Sequence, residues 1–565
     1  MLLLALTALL PDGQPAFAAQ RSPASGATLA DEAVSLQQNP AHTGAQSGDA
    51  LAPPLVQKWV VDVGADNTIS YPLIAGGRVF VTTMSTTGGP SSLRAFNATD
   101  GSQAWPPIPL NGWVTAAYDI VNGQGVVFTR SVDNTVRAFN ASSGAQLWSV
   151  TTYNGTASPV AANGLVYISY SNQVEARHET DGTVAWTSAV LHGDDTTPAV
   201  TATDVYLNYA CNHVYDLNAA TGAIIWHVNA PCEGGGTHQV PAVHNGRLYT
   251  RQLSSGNYTW NAATGAPLAS FSANQPPAFD GALGFFLTSR TLQAEDLSTS
   301  RILWTFRGDG QLAGTSGPVV ANGIVYIASR SGALYALNEL TDAIVWSGTA
   351  GAPIGWAADI PFSGLAIGEG LLVVPASNRL VVFAGTGTPG TVTYTPPTPP
   401  PTTPFDGTDR AVAYQIDPAH SGTQPSDSLT APLKEQWAVD LQNPVSYPLI
   451  AGGKVFATVR NDAPPNTNAA GTALYALDEM TGHSVWGPTD LGGGLWSGAT
   501  YDNGRVFAQN NDNLMRAFDA GTGNQAWATQ LPWGQDEVAP PTARSGTIYT
   551  AGYWHDPGGG YVAAL

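Results

Sequence analysis

In Val136–Trp148 (VRAFNASSGAQLW) apolar and polar positions alternate, with Val136 and Ala138 on one side and Arg137 and Phe139 on the other. A period of two predicts a β-strand with one buried face. Asn140 to Gly144 then reads as a turn, because Asn bonds its own backbone and Gly accepts positive φ, so the chain reverses into a second strand carrying Trp148. The same hairpin ends at Trp105, Trp148, Trp186, Trp226, Trp304, Trp346, Trp486 and Trp527, and a weaker copy centres on Asn261 and Gly265. Between successive Trp residues lie two further apolar runs, such as Ser158–Val160 and Leu165–Ser169, parted by Ala-Asn-Gly. Each repeat therefore predicts four strands.

Four-stranded repeats of about 40 residues are the signature of a β-propeller, in which Trp residues pack between neighbouring blades. Gln57–Val63 looks like a Trp-bearing fourth strand with no hairpin before it, while Leu371–Val374 and Leu380–Phe383 have no Trp strand after them. The two deficits match, so the strand at Trp59 is expected to complete the last blade and close the ring. Counting fourth strands, with a degenerate one at Ala269–Phe271, gives an all-β, eight-bladed β-propeller over residues 34–385.

A Pro and Thr run, 386–404, predicts an extended linker. The beginning then returns: Asp417-Pro418-Ala419-His420-Ser421-Gly422 repeats Asn39-Pro40-Ala41-His42-Thr43-Gly44, and Ser446–Gly453 repeats Ser70–Gly77. A second, incomplete propeller of the same type is thus expected over 405–565, broken off in the third strand of its third blade. At the other end, Met1–Leu10 is an apolar run of signal-peptide length followed by Ala16-Phe17-Ala18, which predicts a signal peptide over 1–19 and an exported protein. Residues 20–33 read as a flexible segment.

Only 11% of residues are charged, and the net charge is -20 with three lysines, Lys58, Lys434 and Lys454. That balance argues against nucleic-acid and anionic-membrane partners, which need clustered cations, and the apolar N-terminal run is too short to span a bilayer. The cysteines are Cys211 and Cys232, either side of the Val214–Trp226 hairpin, a placement that would allow one local disulfide in an exported protein.

The repeat resembles the pyrroloquinoline-quinone-like (PQQ-like) β-propeller repeat, whose hallmark is A-x-[DN]-x-x-T-G-x-x-x-W; Ala476-Leu477-Asp478-Glu479-Met480-Thr481-Gly482 to Trp486 matches it closely. The family contains eight-bladed quinoprotein dehydrogenases, which hold PQQ and calcium, and an eight-bladed outer-membrane assembly lipoprotein without cofactor. The dehydrogenases carry a vicinal cysteine pair that this sequence lacks. The resemblance implies the fold; the intact repeat without catalytic signatures points to a non-catalytic exported scaffold binding a protein or envelope polysaccharide, and kinship with the dehydrogenases implies a PQQ- and calcium-dependent oxidoreductase as the alternative.

Candidate ligand positions lie in the connections between blades, where loops carry function. His192, Asp194 and Asp195, followed one blade later by Glu233 and His238, form the sharpest cluster. Its three carboxylates could hold a hard cation, which takes six to eight oxygens, or could simply cap solvated turns. Trp113 and Trp356 could stack a ligand on the rim beside Asp359, or pack on the channel wall; Tyr153, Asp309 and Gln311 occupy similar connections. No G-x-S-x-G, H-E-x-x-H or G-x-x-x-x-G-K-[ST] motif occurs, so no catalytic residue is assigned.

Overall fold

The structure is a computed structural model. It describes residues 31–390 except 47, 65–66, 86–90, 112–113, 154, 156, 171, 192–195, 210–211, 230–239, 252–256, 289–290, 299–300, 313–316 and 355–362. It further describes residue 394 and residues 410–565 except 426–428, 430, 432–435, 440, 442, 461–471, 492–497, 511–513, 532–538 and 555–558.

Every regular element is a strand apart from short turns, and the strands form successive antiparallel sheets. Among the described residues, eight sheets lie between Leu55 and Gly385, seven of them four-stranded. In the first sheet the inner strand is split into Asn67–Ile69 and Leu73–Ala75, both paired to Arg78–Ser85. In the eighth, Leu55–Asp62 pairs antiparallel with Arg379–Gly385, so the Trp59 strand is the outer strand of the sheet whose other strands come from the far end.

The cores show that the sheets stand in a closed circle. Between Leu55 and Gly385 the hydrophobic clusters draw on consecutive sheets; one joins Val127 and Phe139 of the second sheet to Phe80 and Leu93 of the first. Another joins Ile74, Val79 and Phe96 of the first to Ala366, Val373 and Val382 of the eighth. The last sheet thus shares a core with the first.

The hallmark motif explains the joint between sheets. Its Ala lies directly opposite the Trp across the outer hairpin, as in Ala138 with Trp148, Ala176 with Trp186 and Ala336 with Trp346, and a methyl group leaves room for the indole. The indole then reaches the turn of the next sheet. Nε1 of Trp59, Trp105, Trp186 and Trp226 donates to the carbonyls of Ala98, Ala141, Ala219 and Ala262 at 2.9–3.2 Å. In the same turn a Gly lies against the indole face: a Cβ at Gly222 would stand 2.4 Å from Trp186 Cε3. Trp, Ala and Gly of the motif are therefore one lock, with its two halves on neighbouring sheets.

Two departures support this reading. The fifth sheet has no Trp in its outer strand Pro267–Phe271, and the following turn, starting at Asp296, has Leu297 and Ser298 and no Gly. There Phe271, Tyr249, Phe279, Phe286 and Leu297 pack in place of the lock. In the seventh sheet Asp342 occupies the Gly position with φ 55°, a conformation costing an L-residue about 1–2 kcal/mol. Asp342→Gly is accordingly expected to stabilise the protein by about 1 kcal/mol, read as a higher denaturant midpoint with unchanged slope.

Trp105 differs from the sequence reading in one detail: it precedes its outer strand, Ile108–Leu110. Pro106 and Pro107 follow it, and proline has no N–H for the ladder.

Among the described residues from 410 onward there are three more sheets, of four, four and three strands. Trp437 donates to Glu479 O as Trp59 does to Ala98 O, but residues 436–439 form no strand.

Candidate functional site

The axis of the ring is occupied by the chain itself. Residues 33–46 form a compact hub, turned by Gln37, Gln38, His42 and Gly44, all at positive φ. Inside it Val34 N–H donates to Gln38 O, Asn39 and Gly44 N–H to Gln37 O, and His42 N–H to Asn39 O. The hub carbonyls meet the inner edges of the sheets. N–H groups of Ile74, Tyr118, Val200, Val243, Phe279 and Val320 donate to the carbonyls of Ala33, Val34, Pro40, Ala41, Thr43 and Gly44. In the eighth sheet the side chain of Gln38 takes that part: Ile367 N–H donates to its Oε1 at 3.1 Å, and its Nε2 donates to Ile367 O at 2.7 Å. Seven of eight inner strands are therefore hydrogen-bonded to one short segment. An inner strand is an unpaired edge, and unsatisfied edges are costly inside a fold and sticky outside it. The hub satisfies them.

Ala33, the last residue of the segment read as flexible, is fully buried here. The repeat of this segment at 411–422 folds identically, with positive φ at Gln415, Ile416, His420 and Gly422 and Tyr501 N–H donating to Val412 O as Tyr118 does to Val34 O. The hub conformation is thus encoded locally.

The hub is polar yet buried. Gln38 and His42 have no exposed surface, and His42 Nδ1 lies 2.9 Å from Pro241 O. Burial pushes the His42 imidazole down to about 4, outweighing the Pro241 carbonyl, so it is neutral. Gly44 stands where a Cβ would lie 2.7 Å from Ala278 Cβ, with φ at +64°. Only glycine fits both limits.

Around the hub and the adjoining turns, carboxyls meet other carboxyls. Burial, then the neighbouring charge and hydrogen bond of Asp119, pushes Glu179 up to about 9. Burial and Asp204 push Asp216 up to about 7. Asp49 beside Asp31, and Glu339 beside Asp280, are raised in the same way, burial first. Such groups keep protons in the folded chain that the unfolded chain releases above about pH 4. Their stabilisation is full below that pH and lost as pH rises through the folded values. His42 acts oppositely, its contribution being lost as pH falls from about 6.5 toward 4, so it is silent at higher pH. The melting temperature is therefore expected to fall from pH 6.5 to 9, and Glu179→Gln to flatten that slope by up to one proton, about 1.4 kcal/mol per pH unit. A melting temperature rising over this range would contradict the assignment.

Of the positions singled out from sequence, Trp113, His192, Asp194, Asp195, Glu233, His238, Trp356 and Asp359 lie outside the described residues, as do Cys211 and Cys232. Tyr153 is 62% exposed, edge-on to Tyr170. Asp309 is a turn residue: it accepts from Ser329 and from Gln311 N–H, and although burial raises its carboxyl, hydrogen bonds from Ser331 and Ser329 hold it low. Among the described residues no three His, Cys, Asp or Glu side chains converge to hold a metal ion. No described helix is long and apolar enough to cross a membrane. The hub was missed as a site because Asn-Pro-Ala-His-Thr-Gly reads as a loop; its recurrence ahead of both sets of repeats was the available signal.

Comparison with known proteins bears on the repeat. The family model described as outer membrane protein assembly factor BamB matches residues 210–316, 289–423 and 429–563, more than half of the chain. Tetrathionate hydrolase of Acidithiobacillus ferrooxidans is 23% identical over 382 residues, covering 65% of this chain and 72% of that protein. Among solved structures, BamB from Moraxella catarrhalis is similar at 17% identity and a TM-score of 0.46, covering 58% of this chain and 99% of that one. Quinohemoprotein alcohol dehydrogenase ADHIIG from Pseudomonas putida HK5 is similar at 13% identity and a TM-score of 0.49, covering 67% and 84%. With the Trp, Ala and Gly of the repeat locking sheet to sheet and the family model spanning most of those sheets, the chain belongs to the BamB-like family of PQQ-like β-propellers.

Proposed function

We propose that the chain is an exported, non-catalytic β-propeller scaffold that binds a protein or an envelope polysaccharide through the loops at the ring's faces. The observation that carries the reading is the hub: the inner edges of seven sheets are tied to the chain's own backbone, so the axis serves to hold the ring. PQQ with calcium would need an axial cavity with converging oxygen ligands. Along seven of the eight inner strands that space is taken by buried hub residues such as Gln38 and His42, which do not fit a flat anionic cofactor. Export is supported by the apolar N-terminal run and the small-residue cleavage pattern that follows it.

The test is direct. Purified protein is incubated with PQQ and calcium, then assayed for retained cofactor and for dye-linked oxidation of alcohols and sugars, while its sedimentation with isolated cell-envelope material is followed. The expected result is saturable co-sedimentation with neither retention nor turnover. Stoichiometric retention with turnover would overturn the scaffold reading in favour of a quinoprotein oxidoreductase.

A further inference from the structure

The hub leaves one inner strand unserved. In the third sheet the equivalent position is Ala161, paired with Val166 as Val200 is with Val205, and among the described residues no hub carbonyl accepts its N–H. A cavity of about 440 Å³ opens there instead, with Ala161–Asn163 on one side and hub residues including Pro40 and Gln46 on the other. Glu32 and Asp119 complete its wall.

Two buried side-chain atoms at this cavity lack partners. Gln46 is 5% exposed, and its Nε2 makes no hydrogen bond, although its backbone N–H donates to Val320 O. Glu32 accepts from Gly76 N–H through Oε1, while its Oε2 is buried without a partner. Buried unpaired polar atoms are costly to leave unmatched, so they invite a ligand that pairs them.

The cavity thus presents donors, Gln46 Nε2 and the Ala161 N–H, together with acceptors, Glu32 Oε2 and the Asp119 carboxyl. A metal cation would use the carboxylates and leave both N–H groups unpaired. An anion would face two carboxyls. A hydroxyl donates and accepts at once, and vicinal hydroxyls match a mixed set of this kind. The rest of the wall combines the amides of Asn39 and Asn163 with an apolar part, Val34, Pro40, Ala45 and Ala162, which suits the C–H face of a sugar ring. The volume lies in the range of small-molecule sites, about 300–1,000 Å³.

We propose that the cavity between the hub and the third sheet binds a neutral carbohydrate of one or two pyranose units, with Gln46 and Asp119 as hydrogen-bonding residues. This site is independent of any partner held on the ring's faces. It is tested on the full chain by calorimetric titration with methyl glucoside, methyl galactoside, N-acetylglucosamine, cellobiose and maltose, and separately with calcium chloride. At least one sugar is expected to bind, with affinity lowered about tenfold or more by Gln46→Leu and by Asp119→Ala, each removing hydrogen bonds of about 1.4 kcal/mol. Melting curves of both variants establish that they are folded, and the conclusion is drawn from those that are. Binding of no sugar by the wild type, sugar binding unchanged in a folded variant, or binding of calcium alone would overturn the proposal.

Discussion

Gly222→Ala is expected to destabilise the ring by about 2–5 kcal/mol, from about 1–2 for a left-handed L-residue and about 1–3 for overpacking. The added Cβ would sit 2.4 Å from Trp186 Cε3 and 2.5 Å from Ser188 Oγ, at φ +71°. Trp186→Ala, which empties the other half of the lock, is expected to cost about 3–5 kcal/mol. The double variant separates the two causes. With the indole gone its clash disappears, leaving backbone strain and the approach to Ser188 Oγ, so the double mutant should be more stable than the sum of the singles by about 1–3 kcal/mol. Strict additivity would mean that the indole plays no part in requiring Gly222. The seventh sheet shows that the position accepts another residue when the indole is suitably placed: Asp342 sits there while Trp304 donates to Glu339 O at 2.7 Å.

Gln38→Leu should have an effect of similar size for a different reason. Its carboxamide pairs both main-chain groups of Ile367 and accepts from Tyr71 Oη at 2.8 Å, joining the eighth sheet to the first through the hub. Leucine fills the volume but orphans the Ile367 N–H and C=O, which at about 1–3 kcal/mol per buried group predicts a loss of about 2–5 kcal/mol. The damage falls at the seam where the ring has no covalent continuity, because Leu55–Asp62 completes a sheet from the far end of the sequence. Limited proteolysis is therefore expected to cut first beside Leu55–Asp62 or Arg379–Gly385. Cleavage unchanged from the wild type would argue that the seam is held by its strand pairing alone.

The blades were legible because each strand carries its own pattern: alternation marks the face, Asn and Gly mark the turn, and Trp marks the outer strand. Even the closure followed from counting, since Trp59 lacked a hairpin and Leu380–Phe383 lacked a Trp. The hub was not legible in the same way. Its bonds run from His42 to Pro241 and from Gln38 to Ile367, contacts about two hundred to over three hundred positions apart that leave no periodicity in the chain. A buried Gln in a polar loop looks like any exposed Gln. For the same reason the cavity beside Ala161 could not be anticipated: it exists because the hub bonds the sheets on either side and passes over one strand.

The central claim is that residues 33–46 hold the ring by hydrogen-bonding the inner strands, and that among the described residues the third sheet alone is left open. Amide hydrogen exchange on the ligand-free chain tests both halves at once. Amides of Ile74, Tyr118, Val200, Val243, Phe279, Val320 and Ile367 are predicted to exchange slowly, with Ala161 faster than all of them, and Gln38→Leu is predicted to release Ile367 first. Fast exchange throughout the inner strands, or protection of Ala161 equal to the other seven, would contradict the account.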